Sequence, residues 1–115
     1  MSDLPSRAPD CEAIVTLRST GAGGRARPAF TGYRPNHLIL PDYNTSGVHE
    51  YLDADSIAPS KSGRARIWFL TPEVYPESLW IGKLINVQEG GKVVGEAEIT
   101  AVLNPVLLGP GSPSA

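Results

Sequence analysis

Cysteine is almost missing from this chain of 115 residues, with Cys11 standing alone. A single thiol excludes an internal disulfide framework and leaves no cysteine pair to hold a metal, a usage that suits a reducing compartment. Its simplest role is that of a small apolar residue at the mouth of the first strand. Histidine is nearly as scarce. His37 and His49 are the only imidazoles, and no Gly-x-Ser-x-Gly nucleophile elbow accompanies them. The Gly21-Ala22-Gly23-Gly24-Arg25 stretch lacks the lysine and the following helix that a phosphate-cradling loop requires, which excludes nucleotide hydrolysis. No catalytic residue and no cofactor is expected.

Excess positive charge is lacking too. Ten Lys and Arg against twelve Asp and Glu leave a formal charge of −2. General affinity for phosphate backbones needs clustered cations, so a DNA-binding role is not expected. Nor is there an apolar run long enough for a signal sequence or a membrane span, and the expectation is a cytoplasmic protein without a membrane partner.

What is present suits one small globular domain. An apolar fraction of 41% with 19% charged residues is enough for one modest core. Eleven Pro and twelve Gly, spread along the chain, favour short segments joined by turns over long helices. The pattern divides into a flexible N-terminal segment over 1–11, a folded domain over 12–103 and a flexible Pro/Gly-rich tail over 104–115.

Period-two alternation runs through the middle. Ala13, Val15 and Leu17 share one side of a strand over 12–18, and Ala65, Ile67 and Phe69 share one side of another over 64–70. Val93, Gly95, Ala97, Ile99, Ala101 and Leu103 form an apolar face opposite Glu96, Glu98 and Thr100. Ile81, Ile85 and Val87 keep the same period over 80–87, and Gln88-Glu89-Gly90-Gly91 separates the two runs as a hairpin connection. Shorter runs cover 37–40 and 48–52. About six short strands imply an all-β fold: a closed antiparallel barrel or a sandwich.

Two blocks decide between them: Gly23-Gly24-Arg25-Ala26-Arg27-Pro28-Ala29-Phe30-Thr31-Gly32-Tyr33-Arg34-Pro35-Asn36, and Val87-Gln88-Glu89-Gly90-Gly91-Lys92-Val93-Val94-Gly95-Glu96-Ala97. In order and spacing they resemble the C-terminal (third) β-barrel domain of translation elongation factor Tu. That family has Gly-Gly-Arg, then a Pro and a Phe at matching offsets, then Tyr-Arg-Pro-Gln. Its closing hairpin reads Arg-Glu-Gly-Gly-Arg-Thr-Val-Gly. Roughly residues 12 to 103 are covered, the stretch from Pro41 to Ser62 matching least. The resemblance implies a six-stranded antiparallel closed barrel acting as a non-enzymatic binding module.

By position the resemblance also implies that Arg34, Asn36, Gln88, Glu89, Gly90, Gly91 and Lys92 contact RNA or a partner. The expected partners are a GTPase-like protein and, more weakly, the T stem of aminoacyl-tRNA. Here Gln88 replaces an arginine, Asn36 a glutamine and Lys92 the second arginine. The alternative is a protein-interaction or immunity-type module that reuses the barrel with a changed surface.

Three further features carry simpler readings beside functional ones. Lys61, Arg64, Arg66 and Trp68 form a basic-aromatic constellation, a possible secondary surface for nucleic acid or else an exposed strand face with aliphatic stems covering an indole. Asp42, Glu50, Asp53 and Asp55 near His49 are irregularly spaced and read as a solvated connection, with no metal assigned. His37 and His49 themselves are expected at the surface or the barrel edge.

Overall fold

A computed structural model describes residues 4–110. Among the described residues eight strands form: β1 (Cys11–Leu17), β2 (Ala29–Phe30), β3 (Asn36–Leu40), β4 (Tyr43–Tyr51), β5 (Ser56–Ile57), β6 (Ser62–Phe69), β7 (Leu84–Glu89) and β8 (Lys92–Val102). Six of them close into an antiparallel barrel in the order β1-β6-β4-β3-β7-β8, and β8 returns to pair with β1. The short β2 and β5 pair beside it. Closure leaves no barrel strand with an unpaired edge, which a small isolated sheet would have to protect. No helix among the described residues is long and apolar enough to cross a membrane.

Alternation fills the barrel. Ala13, Val15 and Leu17 point inward from β1, Ala65, Ile67 and Phe69 from β6, Ile85 and Val87 from β7, and Ala97 and Ile99 from β8; all are at most 2% exposed. Two register shifts, each leaving an extra residue in β8, interrupt the face expected for that strand. A bulge changes which side of the sheet the following residues face. Val94 is therefore the buried residue while Val93 is half-buried, and Val102 packs on the core while Leu103 is 45% exposed.

The run expected to begin at Trp80 starts at Leu84 instead. Residues 80–83 form a turn closed by Lys83 N donating to Trp80 O, and Ile81 is exposed rather than inward. The hairpin connection shrinks to Gly90-Gly91, both at positive φ (58° and 91°), conformations that glycine adopts without a Cβ penalty. The poorly matching 41–62 stretch contains the nine-residue β4.

Both predicted flexible ends pack against the barrel where they are described. The Asp10 carboxylate accepts from Phe69 N at 2.7 Å and from Asn104 Nδ2 at 2.9 Å, and the Arg7 guanidinium grips it at 2.8 Å and 3.0 Å. Leu107, fully buried, joins the core with Leu79 and Tyr75. The predicted flexibility of 1–3 and 111–115 lies outside the described residues.

The histidines correct another expectation. His37 and His49 are both fully buried inside the barrel, with Nε2 atoms 2.8 Å apart. Strand parity places them there, since His37 alternates with Ile39 and His49 with Tyr51, and a neutral imidazole is tolerated inside where its nitrogens find partners.

Candidate functional site

At one end of the barrel the β7–β8 hairpin meets the loop that precedes β2. Glu89 and Lys92 are directly opposite across the Gly90-Gly91 turn. The loop over 24–28 comes beside them because Ser19 caps the Thr20–Ala22 3₁₀ turn, Gly23 ends it in the left-handed region, and Thr20 Oγ1 donates to Arg25 O at 2.7 Å. Arg25 is thereby aimed at the hairpin.

Glu89 is held on two sides. Arg25 and the Tyr33 hydroxyl both donate to its Oε2, and the Arg25 guanidinium carbon lies 4.6 Å from the centre of the Tyr33 ring. Arg25 also donates to Arg27 O at 3.1 Å and Pro28 O at 3.2 Å, which fixes the loop around it. Burial works to raise the Glu89 pKa, but the Tyr33 and Arg25 hydrogen bonds outweigh it and keep the carboxyl below its ordinary value. Burial, reinforced by Glu89, raises the Tyr33 pKa, so the phenol stays protonated as a donor.

Beside this triad lies an open depression of about 340 Å³ lined by Gly24, Arg25, Ala26, Arg27, Glu89 and Lys92. Arg25 is spent on Glu89, whereas Arg27 and Lys92 are ion-paired with nothing among the described residues. Two glycines at the tip leave the backbone open, and a Cβ built on either meets nothing within 4 Å. The rim therefore offers a fixed carboxylate acceptor, two cations and accessible backbone, the groups that contact sugar and phosphate.

The structure brings together Glu89, Gly90, Gly91 and Lys92 from the predicted set. Asn36 and Gln88 are register partners on β3 and β7, but Gln88 is only 7% exposed and cannot serve as an open contact. Arg34 lines a different depression with Arg7, Trp68 and Leu70. Arg25, Tyr33 and Arg27 join the rim beyond the residues that the resemblance implies. Their signal lay inside the first motif block, and the pairing to Glu89, 64 residues away for Arg25, was not readable from it.

The secondary surface is differently built from the exposed platform envisaged. Trp68 is only 6% exposed and its Nε1 donates to Arg7 O at 2.7 Å, so the N-terminal segment covers the indole. Arg64 is bound to Asp53 at 2.7 Å and 3.0 Å, and Arg66 lies 3.5 Å from Glu50 and 3.6 Å from Glu12. Lys61 remains exposed just before β6. Among the described residues no group of three or more His, Cys, Asp or Glu is arranged to hold a metal ion.

A search of known protein families finds no family model that matches the chain. The class defined by fold and rim is that of a small all-β barrel with a charged hairpin edge.

Proposed function

We propose that the chain is a non-enzymatic binding module that uses the hairpin rim to grip the sugar-phosphate backbone of a structured RNA of the tRNA type. The observation that carries this reading is the fixing of Glu89 by Arg25 and Tyr33 beside the unpaired Arg27 and Lys92. An ionised carboxylate held in place accepts from a ribose 2′-hydroxyl, which distinguishes RNA from DNA, while the two cations take flanking phosphates. The resemblance of the two sequence blocks to the elongation factor Tu barrel supports the same ligand class, with a GTPase-like protein as the accompanying partner.

The net charge of −2 limits the affinity. With two free cations at the rim, binding should weaken about tenfold between 50 and 200 mM salt, following a counterion-release slope near −1.8. Filter binding of aminoacylated and bare tRNA at those two salts tests the proposal. Lys92→Glu should abolish measurable binding and Gly90→Trp should block it sterically. Binding that ignores salt and both substitutions would refute the reading.

A further inference from the structure

A second concavity lies away from the hairpin rim, between the outer side of β3 and the segment over 77–84, and its volume is about 430 Å³. Its walls are mostly apolar: Leu38, Leu40 and Pro41 on one side, Trp80 and Leu84 on the other. Leu40 and Leu84 are 38% and 58% exposed, so the wall is open to solvent. The volume is within the usual range of small-molecule sites, which combine an apolar wall with a few placed polar groups.

Two polar groups in this groove lack what such groups normally have. Ser78 is only 4% exposed, and its Oγ is without a hydrogen-bond partner among the described residues. Native proteins pair the great majority of buried polar side-chain atoms, because an unpaired one carries its full desolvation cost. The Lys83 ammonium is the second. It donates to the carbonyls of Ile39, at 2.8 Å, and Ser78, and it stands 4.5 Å from the centre of the Trp80 ring.

An ammonium has three donors, and two carbonyls neutralise none of its charge. No carboxylate is ion-paired with Lys83 among the described residues, although Glu77 lines the same groove. Burial lowers the Lys83 pKa with no neighbouring anion to restore it. A half-buried cation with one donor unspent, an unpaired hydroxyl and an apolar wall together define a complement.

We propose that this groove binds a carboxylate carried on an apolar chain. The carboxylate takes the third Lys83 N–H and, once the Ser78 side chain turns from its closed position toward the groove, the Ser78 hydroxyl, while the chain lies along Leu38, Leu84 and the Trp80 face. An alcohol of the same length would gain the apolar contact and a neutral hydrogen bond but no charge pairing with Lys83. An alkylamine would meet Lys83 as a like charge. The proposal is independent of the RNA reading, since none of these residues belongs to the hairpin rim.

Octanoate is a suitable probe, with octan-1-ol and octylamine as controls, followed by ¹H–¹⁵N NMR of the full chain. The Trp80 indole N–H and the Lys83 and Leu84 amides should shift saturably at about millimolar octanoate, the affinity expected of a ligand of about ten heavy atoms. The Trp68 indole serves as the internal reference and should not move. Lys83→Met should weaken octanoate binding by about tenfold or more, and Ser78→Ala by about threefold, with amide dispersion retained.

The Ser78→Ala arm decides the matter if Lys83→Met fails to fold. Octanol binding as well as octanoate, an affinity indifferent to the Ser78 change, or no shift at 20 mM octanoate would each overturn the proposal. Carboxylate-terminated peptides ending in leucine form a final arm. They separate a peptide C-terminus from a free fatty acid as the source of the same chemistry.

Discussion

The Nε2 atoms of His37 and His49 face each other at 2.8 Å inside the barrel, and their neighbours fix which one carries the proton. His37 Nδ1 lies 3.3 Å from the Thr45 carbonyl oxygen, which only accepts. His37 is therefore protonated on Nδ1 and accepts at Nε2, so His49 donates from its own Nε2. That leaves His49 Nδ1 to accept from the Tyr51 hydroxyl at 2.9 Å. The chain of donors runs one way, and both imidazoles are neutral. A proton added to either ring reverses this chain and places a charge in the buried interior that no neighbouring anion offsets.

Acid should therefore unfold the barrel earlier than its carboxylates alone would dictate. Burial lowers the His37 pKa from 6.5 to about 4, and burial together with His37 lowers that of His49 well below its ordinary value. The folded-state values are depressed, so the unfolded chain takes up protons first as pH falls through 6.5. Stability is complete above that pH and is lost below it, at up to about 1.4 kcal/mol per pH unit for each imidazole. Urea midpoints measured from pH 7.5 to 5 should fall steeply below 6.5. A flat profile across that range would mean that the pair is not held neutral.

Gly95 of β8 leaves no room for a side chain against β1. A Cβ built there falls 2.4 Å from the Thr16 carbonyl oxygen, a backbone atom that cannot swing aside, and 3.2 Å from the Leu17 side chain. Gly95→Ala must part the two strands and should cost about 3 kcal/mol, a drop of about 10 to 20 °C in Tm. Gly21→Ala is the matched control, because nothing lies within 4 Å of its Cβ. Its melting temperature should stay within about 2 °C of the parent.

The strands were legible where parity was unopposed and obscure where one residue could stand for the next. Ala13, Val15 and Leu17 alternate against polar or exposed neighbours, so β1 has a single reading. Near the two bulges of β8 the apolar pairs Val93-Val94 and Val102-Leu103 fit either parity, and the register shifts leave no trace in the sequence. His37 had the inward parity of Ile39, but its polarity argued for the surface; the partner that resolved this, His49, comes from another strand.

Long-range contacts account for the other differences. The cover on Trp68 comes from Arg7, 61 residues earlier, and the grip on Glu89 comes from a loop in the first third of the chain. Neither has a local pattern. The glycine pair of the hairpin was readable because its positive φ is a local requirement.

Replacing Ser78 with alanine should not harm the fold. Its hydroxyl makes no hydrogen bond among the described residues, so the substitution removes a buried polar atom and forfeits no partner. The expected change in unfolding free energy runs from zero to about 1 kcal/mol of added stability. Equilibrium urea unfolding measures it. A loss above about 1 kcal/mol would show that the hydroxyl supports the fold, whatever the groove binds.

Asp10 should be the opposite case. Its side chain is fully buried and joins three parts of the chain that are far apart in sequence: the Phe69 N–H of β6, the Asn104 amide that opens the last 3₁₀ turn, and Arg7 of the N-terminal segment. The main chain adds to this, with Asp10 N donating to Ile67 O and Asp10 O accepting from Leu103 N and Asn104 N. Asp10→Ala leaves the main-chain bonds possible but strands the Phe69 N–H and the Asn104 amide, at a cost of about 3 kcal/mol. The Arg7 side chain is 44% exposed, so its ion pair is screened by solvent; Arg7→Ala should cost about 1 kcal/mol, including its bond to Phe69 O. In the double variant the two losses should add to less than their sum, because Arg7 has no carboxylate left to grip. Urea unfolding of the four proteins closes the cycle. Strict additivity, or an Asp10→Ala protein as stable as the parent, would show that the ends are not locked through this carboxylate.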